Sequence, residues 1–371
     1  MLTADKLVIR YNKFFRSLFY QLLFWYASFL FYMFISGEHQ IFKVYLNLLK
    51  VDNVYYIILF LSISISLLFS IIDLFFTDRI MRFFPLSITK FLRSVLYFTS
   101  AFVLILVAAR SPLTIYTKDN YMDILKFLPE MDINFMRFLL HFYVSCFLYN
   151  FFRGMEKKLG KGNFKRWIFG SLNKPREEQR IFMFIDMKSS TTIAEKLEHK
   201  KFSHLVQDVF NDLSIVDNYK AEIYQYVGDG AIISWSVKKG LQRNNFLRAF
   251  YAFTHVINKR HRYYQRKYGV IPHFKAGVHV GKVMVLQVGQ IRRDISYNGD
   301  TMNTAARIES MCNEYRQDLL ISGDLYNLVS DTKAYNFKNV GNIKLKGKRK
   351  ATDIYQVKQK ATAKTPRVLF P

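Results

Sequence analysis

The chain has 371 residues, is 17% aromatic, and carries 54 Lys and Arg against 28 Asp and Glu, a net charge of +26. That length accommodates roughly two to three domains, and the basic excess points to an anionic membrane surface, nucleic acid or a phosphorylated ligand without choosing among them. The two cysteines, Cys146 and Cys312, lie far apart and match no disulfide or metal pattern, so the soluble part reads as reduced and cytosol-facing.

The first half is dominated by uncharged runs at 17–36, 54–72, 94–109 and 138–152. The first two have the roughly 20 residues that a spanning helix needs. The other two reach that length only by extending upstream across Arg93 and Arg137, and an arginine near a helix end can snorkel to the interface. The pattern predicts four transmembrane helices, at about 17–36, 54–74, 90–109 and 133–152, within a membrane domain over 1–152. The alternative is a buried all-helical core. A cleaved signal peptide fits poorly, because the first run is long and has no small-residue cleavage site.

Loop charges orient these spans. Lys6, Arg10, Lys13 and Arg16 precede the first, Arg79, Arg82, Lys90 and Arg93 lie between the second and third, and Arg153, Lys157, Lys158, Lys161, Lys165 and Arg166 follow the fourth. The two remaining loops mix acids and bases nearly evenly. The positive-inside rule therefore places both termini in the cytoplasm of a multi-pass protein of the cell (inner or plasma) membrane. Residues 153–179, glycine-containing and basic, read as a membrane-surface connector.

From Arg180 the periodicity changes. RIFMFIDM (180–187) reads as a buried strand, followed by a helix to about Leu213 with Thr191 or a neighbour as its N-cap. Residues 221–227 and 231–237 read as strands joined through Gly228-Asp229-Gly230. A helix follows at about 241–264, then a strand pair around 273–289, a strand at 291–298 and a helix at 301–312. Strands near Leu319, Lys344 and Ile354 close the domain, and 359–371 is a basic tail. Strand–helix–strand–strand–helix–strand is a ferredoxin-like α+β core with additions.

Within this order Asp186 ends the first strand and Asp229 sits at the hairpin tip, so both reach one edge of the sheet. Two acids that close repel unless a cation lies between them. A pair of Mg²⁺ or Mn²⁺ ions, roughly 4 Å apart, would use both carboxylates to hold a nucleoside triphosphate and activate an oxygen nucleophile. The turn through Ser189, Ser190 and Thr191 enters a helix N-terminus, where backbone N–H groups suit phosphates. The bland reading of a lone Asp at a turn is an Asx turn.

FMFIDMKSST (182–191), YVGDGAIISW (226–235), GVHVGKV (277–283), NGDTMNTAARIESMC (298–312) and LKGK (345–348) together resemble the class III nucleotidyl cyclases, the adenylate and guanylate cyclase catalytic domain, in a bacterial-type, membrane-anchored form. The resemblance covers about 180–358. It implies a nucleotide site between two catalytic domains, with Asp186, Asp229 and the Met187 carbonyl holding two Mg²⁺ or Mn²⁺ ions per site. It implies that Asn303 positions the ribose, that Arg307 stabilises charge on the reacting α-phosphate, and that Lys346 holds the terminal phosphates. Arg292 or Arg293 fits the family's other phosphate-binding arginine. Solvated tail lysines and a solvated helix arginine are the bland readings of Lys346 and Arg307. His279, in a strand beside glycines, reads as structural, and Glu309 has no evident chemical role.

The base-recognition positions depart from the family. Adenylate cyclases commonly carry Lys and Asp or Thr there, and guanylate cyclases Glu and Cys; this chain has Gln225 and Ser296. Each side chain both donates and accepts, so the pair can serve adenine or, with the amide turned, guanine. Ser296 is nearer the Thr of some adenylate cyclases, which favours ATP. The expectation is a membrane-embedded homodimeric adenylate cyclase making 3′,5′-cyclic AMP and pyrophosphate, with no nucleic-acid partner. A guanylate cyclase and a non-catalytic cyclase-like receptor are the alternatives.

Overall fold

A computed structural model describes residues 2–36, 53–76, 88, 91–101, 133–159, 170, 174–290, 294–329, 333–343 and 351–360. The chain divides into two units, Met1–Lys158 and Leu159–Pro371.

The first unit is helical. It comprises α1 (Leu2–Ser36), α2 (Val54–Phe76), α3 (residues 91–101) and α4 (Ile133–Leu159). Among the described residues two helices are long and apolar enough to cross a membrane, Ser17–Ser36 and Val54–Asp73. Residues 90 and 102–109, the rest of the third expected span, lie outside the described residues. Aromatic side chains from all four helices interlock: Trp25 stacks on Phe142 at 5.0 Å, and Phe69 on Tyr97 at 4.0 Å. Such pairs are worth about 0.5–1.5 kcal/mol each beyond area burial.

One carboxylate joins the four helices. Asp73 of α2, 6% exposed, pairs with Arg93 of α3 and Arg153 of α4, and accepts hydrogen bonds from the Tyr97 hydroxyl and, at 3.2 Å, from Gln21 Nε2 of α1. Arg93, expected to snorkel outward, instead turns into the bundle, where its side chain is only 11% exposed. A charge in an apolar setting is stable only when paired, and Asp73 supplies that pairing.

The second unit is built on an eight-stranded sheet: β1 (Arg176–Met187), β2 (Glu222–Val227), β3 (Gly230–Ser236), β4 (Phe274–Val288), β5 (Asp294–Asn298), β6 (Leu319–Ser322), β7 (Tyr335–Ile343) and β8 (Thr352–Gln359). The strand order is β2-β3-β1-β4-β6-β8-β7, with β5 paired to β4. Its helices are α5 (Ser190–Leu213), α6 (Asn245–Lys259), α7 (His261–Tyr268) and α8 (Asp300–Glu314), beside shorter turns. With β1 between β3 and β4, and β2 outside β3, the expected ferredoxin-like core is present.

Alternation along β1 assigns the two faces. Ile181, Met183, Ile185 and Met187 are buried against α5 and α6, among Leu205, Val209, Phe246, Phe250 and Phe253. Phe182 and Phe184 face the other way, with Ile232, Tyr297 and Ala305. That second face carries Asp186.

Three details differ from the sequence reading. The expected strand pair near 273–289 is one continuous strand, β4, whose Gly277 serves a close helix contact rather than a turn. The N-cap of α5 is Ser189, in a left-handed conformation with no side-chain cap bond, and α5 breaks at Glu198. The helix expected at 241–264 is two, α6 and α7, and the second is pinned to α5: Asp208 accepts from Tyr263, Tyr268 and Lys267 at 2.6, 2.6 and 2.8 Å.

Candidate active site

The β2–β3 turn brings the two acids together. Gly228 takes φ +58°, and Gly230 lies so near β1 that a Cβ there would sit 2.7 Å from the Ile185 carbonyl oxygen and 3.1 Å from Asp186 Oδ1. Asp229, between these glycines, is thereby held over the end of β1. Its Oδ2 is shielded from solvent and accepts no hydrogen bond. Burial pushes the Asp186 carboxyl up to about 6, Asp229 and Glu309 add repulsion, and Lys275 opposes them. An orphaned carboxylate oxygen beside a second, crowded carboxylate fits a divalent cation, which would offset the repulsion between the two acids.

Lys275 was not anticipated. It faces Asp186 across the β1–β4 ladder, buried to 8% exposure, with Nζ 3.5 Å from Asp186 Oδ2 and 2.8 Å from Glu309 Oε1. Burial works against its ammonium, but Glu309 and Asp186 outweigh it and hold its pKa above the usual value. Glu309, which had no role on sequence grounds, is the partner that keeps this lysine charged. The available signal was a single lysine in the apolar alternation FKAGVHV, since a buried strand admits a cation only beside an anion.

Asn303 and Arg307 lie four apart on α8, on the side away from the buried Thr304, Ala305 and Ile308. Asn303 is exposed and Arg307 half-buried. Gly277 lets α8 approach β4: a Cβ there would meet Glu309 N at 2.1 Å. Ser189, Ser190 and Thr191 stand at the α5 N-terminus, one residue beyond Asp186 and Met187, and the absence of a side-chain cap leaves first-turn N–H groups for a ligand. Met187 is buried, the last residue of β1.

Gln225 is exposed on β2, where a bulge between Ile223 and Gln225 resets the register. Ser296 is half-buried on β5, and its hydroxyl donates to Asn298 Oδ1 at 2.9 Å. The two strands touch through their neighbours, Tyr224 and Tyr297, whose rings lie 4.9 Å apart. Arg292, Arg293 and Lys346 lie outside the described residues. His279 is buried and shares a 2.8 Å hydrogen bond between Nδ1 and Ser322 Oγ, in keeping with its structural reading. No cluster of three or more His, Cys, Asp or Glu occurs among the described residues.

Comparison with known proteins places the second unit in a family. A family model described as the adenylate and guanylate cyclase catalytic domain matches residues 172–359, half of the chain. "Adenylate cyclase 2" of Rhizobium meliloti (strain 1021) is 29% identical over 195 residues, covering 52% of this chain and 54% of the relative. "Adenylate cyclase 1" of the same organism is 28% identical over 217 residues, covering 57% of this chain and 32% of the relative. The chain thus spans about half the length of one curated relative and a third of the other. A bacterial light-regulated adenylyl cyclase structure is similar in fold, with TM-score 0.51 and 18% identity over 63% of this chain and 68% of that one.

Proposed function

The chain belongs to the adenylate and guanylate cyclase catalytic domain family, and from that premise we propose that it is a membrane-bound adenylate cyclase converting ATP to 3′,5′-cyclic AMP and pyrophosphate. The observation that carries the proposal is the meeting of Asp186 with Asp229, whose Oδ2 is buried without a hydrogen bond. Asp186 closes β1 just before the α5 N-terminus and lies on the sheet face that α8 packs against.

Asp186, Asp229 and the Met187 carbonyl would hold two Mg²⁺ or Mn²⁺ ions. Bound there, such ions supply Lewis acidity that lowers the pKa of the ribose 3′-hydroxyl and neutralise phosphate charge. The chain's own residues do the rest. Ser189, Ser190 and Thr191 present backbone N–H groups to phosphate oxygens, with Arg292 and Lys346 as further phosphate contacts. Asn303 orients the ribose so that its 3′-oxygen lies in line with the α-phosphorus. As that P–O bond forms and the bond to pyrophosphate breaks, Arg307 stabilises charge on the α-phosphate. Lys275, held as an ammonium by Glu309, keeps Asp186 fixed in position. Gln225 and Ser296 read the base.

The matched positions all occur in one chain, which supports a homodimer with two equivalent sites. Four spans with cytoplasmic termini are the reading of the apolar runs and loop charges, and the Asp73 contacts fit four helices that alternate in direction. In an up-down-up-down bundle, Gln21, Asp73, Arg93 and Arg153 all fall at the cytoplasmic end, and these are the residues that meet. Incubation of the full-length protein with Mn²⁺ and ATP or GTP tests the function: cyclic AMP is the expected dominant product, and dominant cyclic GMP refutes the substrate assignment. Asp186→Ala and Asp229→Ala should abolish turnover.

A further inference from the structure

The proposed base readers leave a chemical ambiguity. Gln225 can turn its amide either way, so it can donate to adenine N1 or accept from guanine N1–H. Discrimination therefore falls on Ser296, which must accept from the adenine N6 amine or donate to guanine O6. A serine hydroxyl has one proton to donate and two lone pairs to accept with.

The structure shows where that proton is spent. Tyr297 is buried at 6% exposure and faces the sheet. Its ring lies 5.3 Å from Phe182, 4.9 Å from Tyr224 and 5.1 Å from the Arg180 guanidinium. Arg180, 1% exposed, is held in turn by Glu178, by Glu222 and by Ser234 Oγ at 2.9 Å. Strand alternation then turns Ser296 and Asn298, on either side of Tyr297, together to the opposite face of β5. There the Ser296 hydroxyl donates to Asn298 Oδ1 at 2.9 Å.

Resting on the reading of Gln225 and Ser296 as base readers, we infer that Asn298 is a specificity-determining residue: by taking the only Ser296 proton it makes Ser296 an acceptor and selects adenine over guanine. Guanine binding would require Ser296 to give up this bond, or the Asn298 amide to turn and donate in its place, before the hydroxyl can donate to O6. Tyr297, clamped by Arg180 and Tyr224, is the positioning residue that keeps Ser296 and Asn298 on one face.

The test compares ATP with GTP in the full-length protein by two readouts, the ratio of kcat/KM values and equilibrium binding of 3′-deoxy-ATP against 3′-deoxy-GTP, which cannot cyclise. Asn298→Ala frees the Ser296 proton, and the preference for adenine should fall roughly 5-fold in both readouts, as expected for one net hydrogen bond. Asn298→Asp remains an acceptor and should keep the preference. An unchanged ratio in Asn298→Ala, or a fall in Asn298→Asp equal to that in Asn298→Ala, overturns the inference. Ser296→Ala separates this from the parent reading. If Ser296→Ala shifts the ratio and Asn298→Ala does not, only the role of Asn298 fails; if Ser296→Ala and Gln225→Ala both leave it unchanged, the base-reading assignment fails with it.

Discussion

Gly277→Ala tests whether the position of α8 limits catalysis. The added Cβ would lie 2.1 Å from Glu309 N, 2.5 Å from Glu309 Cα and 2.7 Å from the Ala305 carbonyl oxygen, where ordinary contact begins at 3.4 Å. The shortfall is 3.4 − 2.1 = 1.3 Å, and every atom in the way is backbone, so no side chain can rotate to relieve it. The helix must therefore shift by on the order of 1 Å, and overpacking of this kind costs about 1–3 kcal/mol. Arg307, two residues from the clash, moves with it, and a misplacement of about 1 Å can cost about 100-fold in rate. Initial rates of cyclic AMP formation, normalised to the folded fraction from thermal melts, give the readout. Gly269→Ala is the control: it has φ +71° and nothing within 4 Å, so it should cost stability alone and leave the rate per folded molecule unchanged. A Gly277→Ala protein that melts normally and turns over within a few-fold of wild type would refute the reasoning.

Other outcomes follow from single contacts. Asp229→Asn keeps the shape of the hairpin tip and removes its charge, so Mn²⁺ binding without nucleotide should weaken at least about tenfold by calorimetry; unchanged affinity would contradict the metal assignment. Asp73→Ala leaves Arg93 and Arg153 without their shared carboxylate and should cost about 3–5 kcal/mol, read as a lower midpoint for thermal unfolding in detergent; an unshifted midpoint would count against the clamp. Burial works against the Asp208 carboxylate, yet bonds from Lys267, Tyr263 and Tyr268 outweigh it and hold its pKa below 3.8. A folded pKa below the unfolded one gives stability that is present above the unfolded value and lost as pH falls through the folded value. The gap in thermal midpoint between wild type and Asp208→Asn should therefore narrow from about pH 6 to about pH 3, and a constant gap would contradict it.

The site was legible where chemistry dictates spacing. Asp186 and Asp229 each stand beside features with one structural meaning, a strand end and a glycine-flanked turn, and the fold brings them together as that pattern requires. Lys275 and Arg180 were illegible for the opposite reason. Each is a lone cation in a strand, and its acidic partner lies far along the chain: Glu309 is 34 positions from Lys275 and Glu222 is 42 from Arg180. Periodicity reports which face a residue takes, and only the strand register reports what it meets there. The strand pair expected around 273–289 failed for a related reason: glycine in a strand, such as Gly277, signals a turn or a close backbone approach, and sequence alone does not separate the two.

The helical half makes the same point with charge. Asp73 closes one apolar run and Arg93 opens another, and each alone reads as an interfacial residue at a helix end. In the bundle they meet, with Arg153, Tyr97 and Gln21, and all but one of the four helices contributes a charged side chain. Packing between apolar helices leaves their depth and rotation weakly defined, because one aromatic or aliphatic contact resembles the next. A carboxylate shared by two arginines has far fewer acceptable geometries, since sliding either helix by one turn would strand a charge away from water. Asp73 thus fixes the register of α2, α3 and α4 at the level of Arg153 in α4, and the hydrophobic pattern that predicted these helices carries no information about that register.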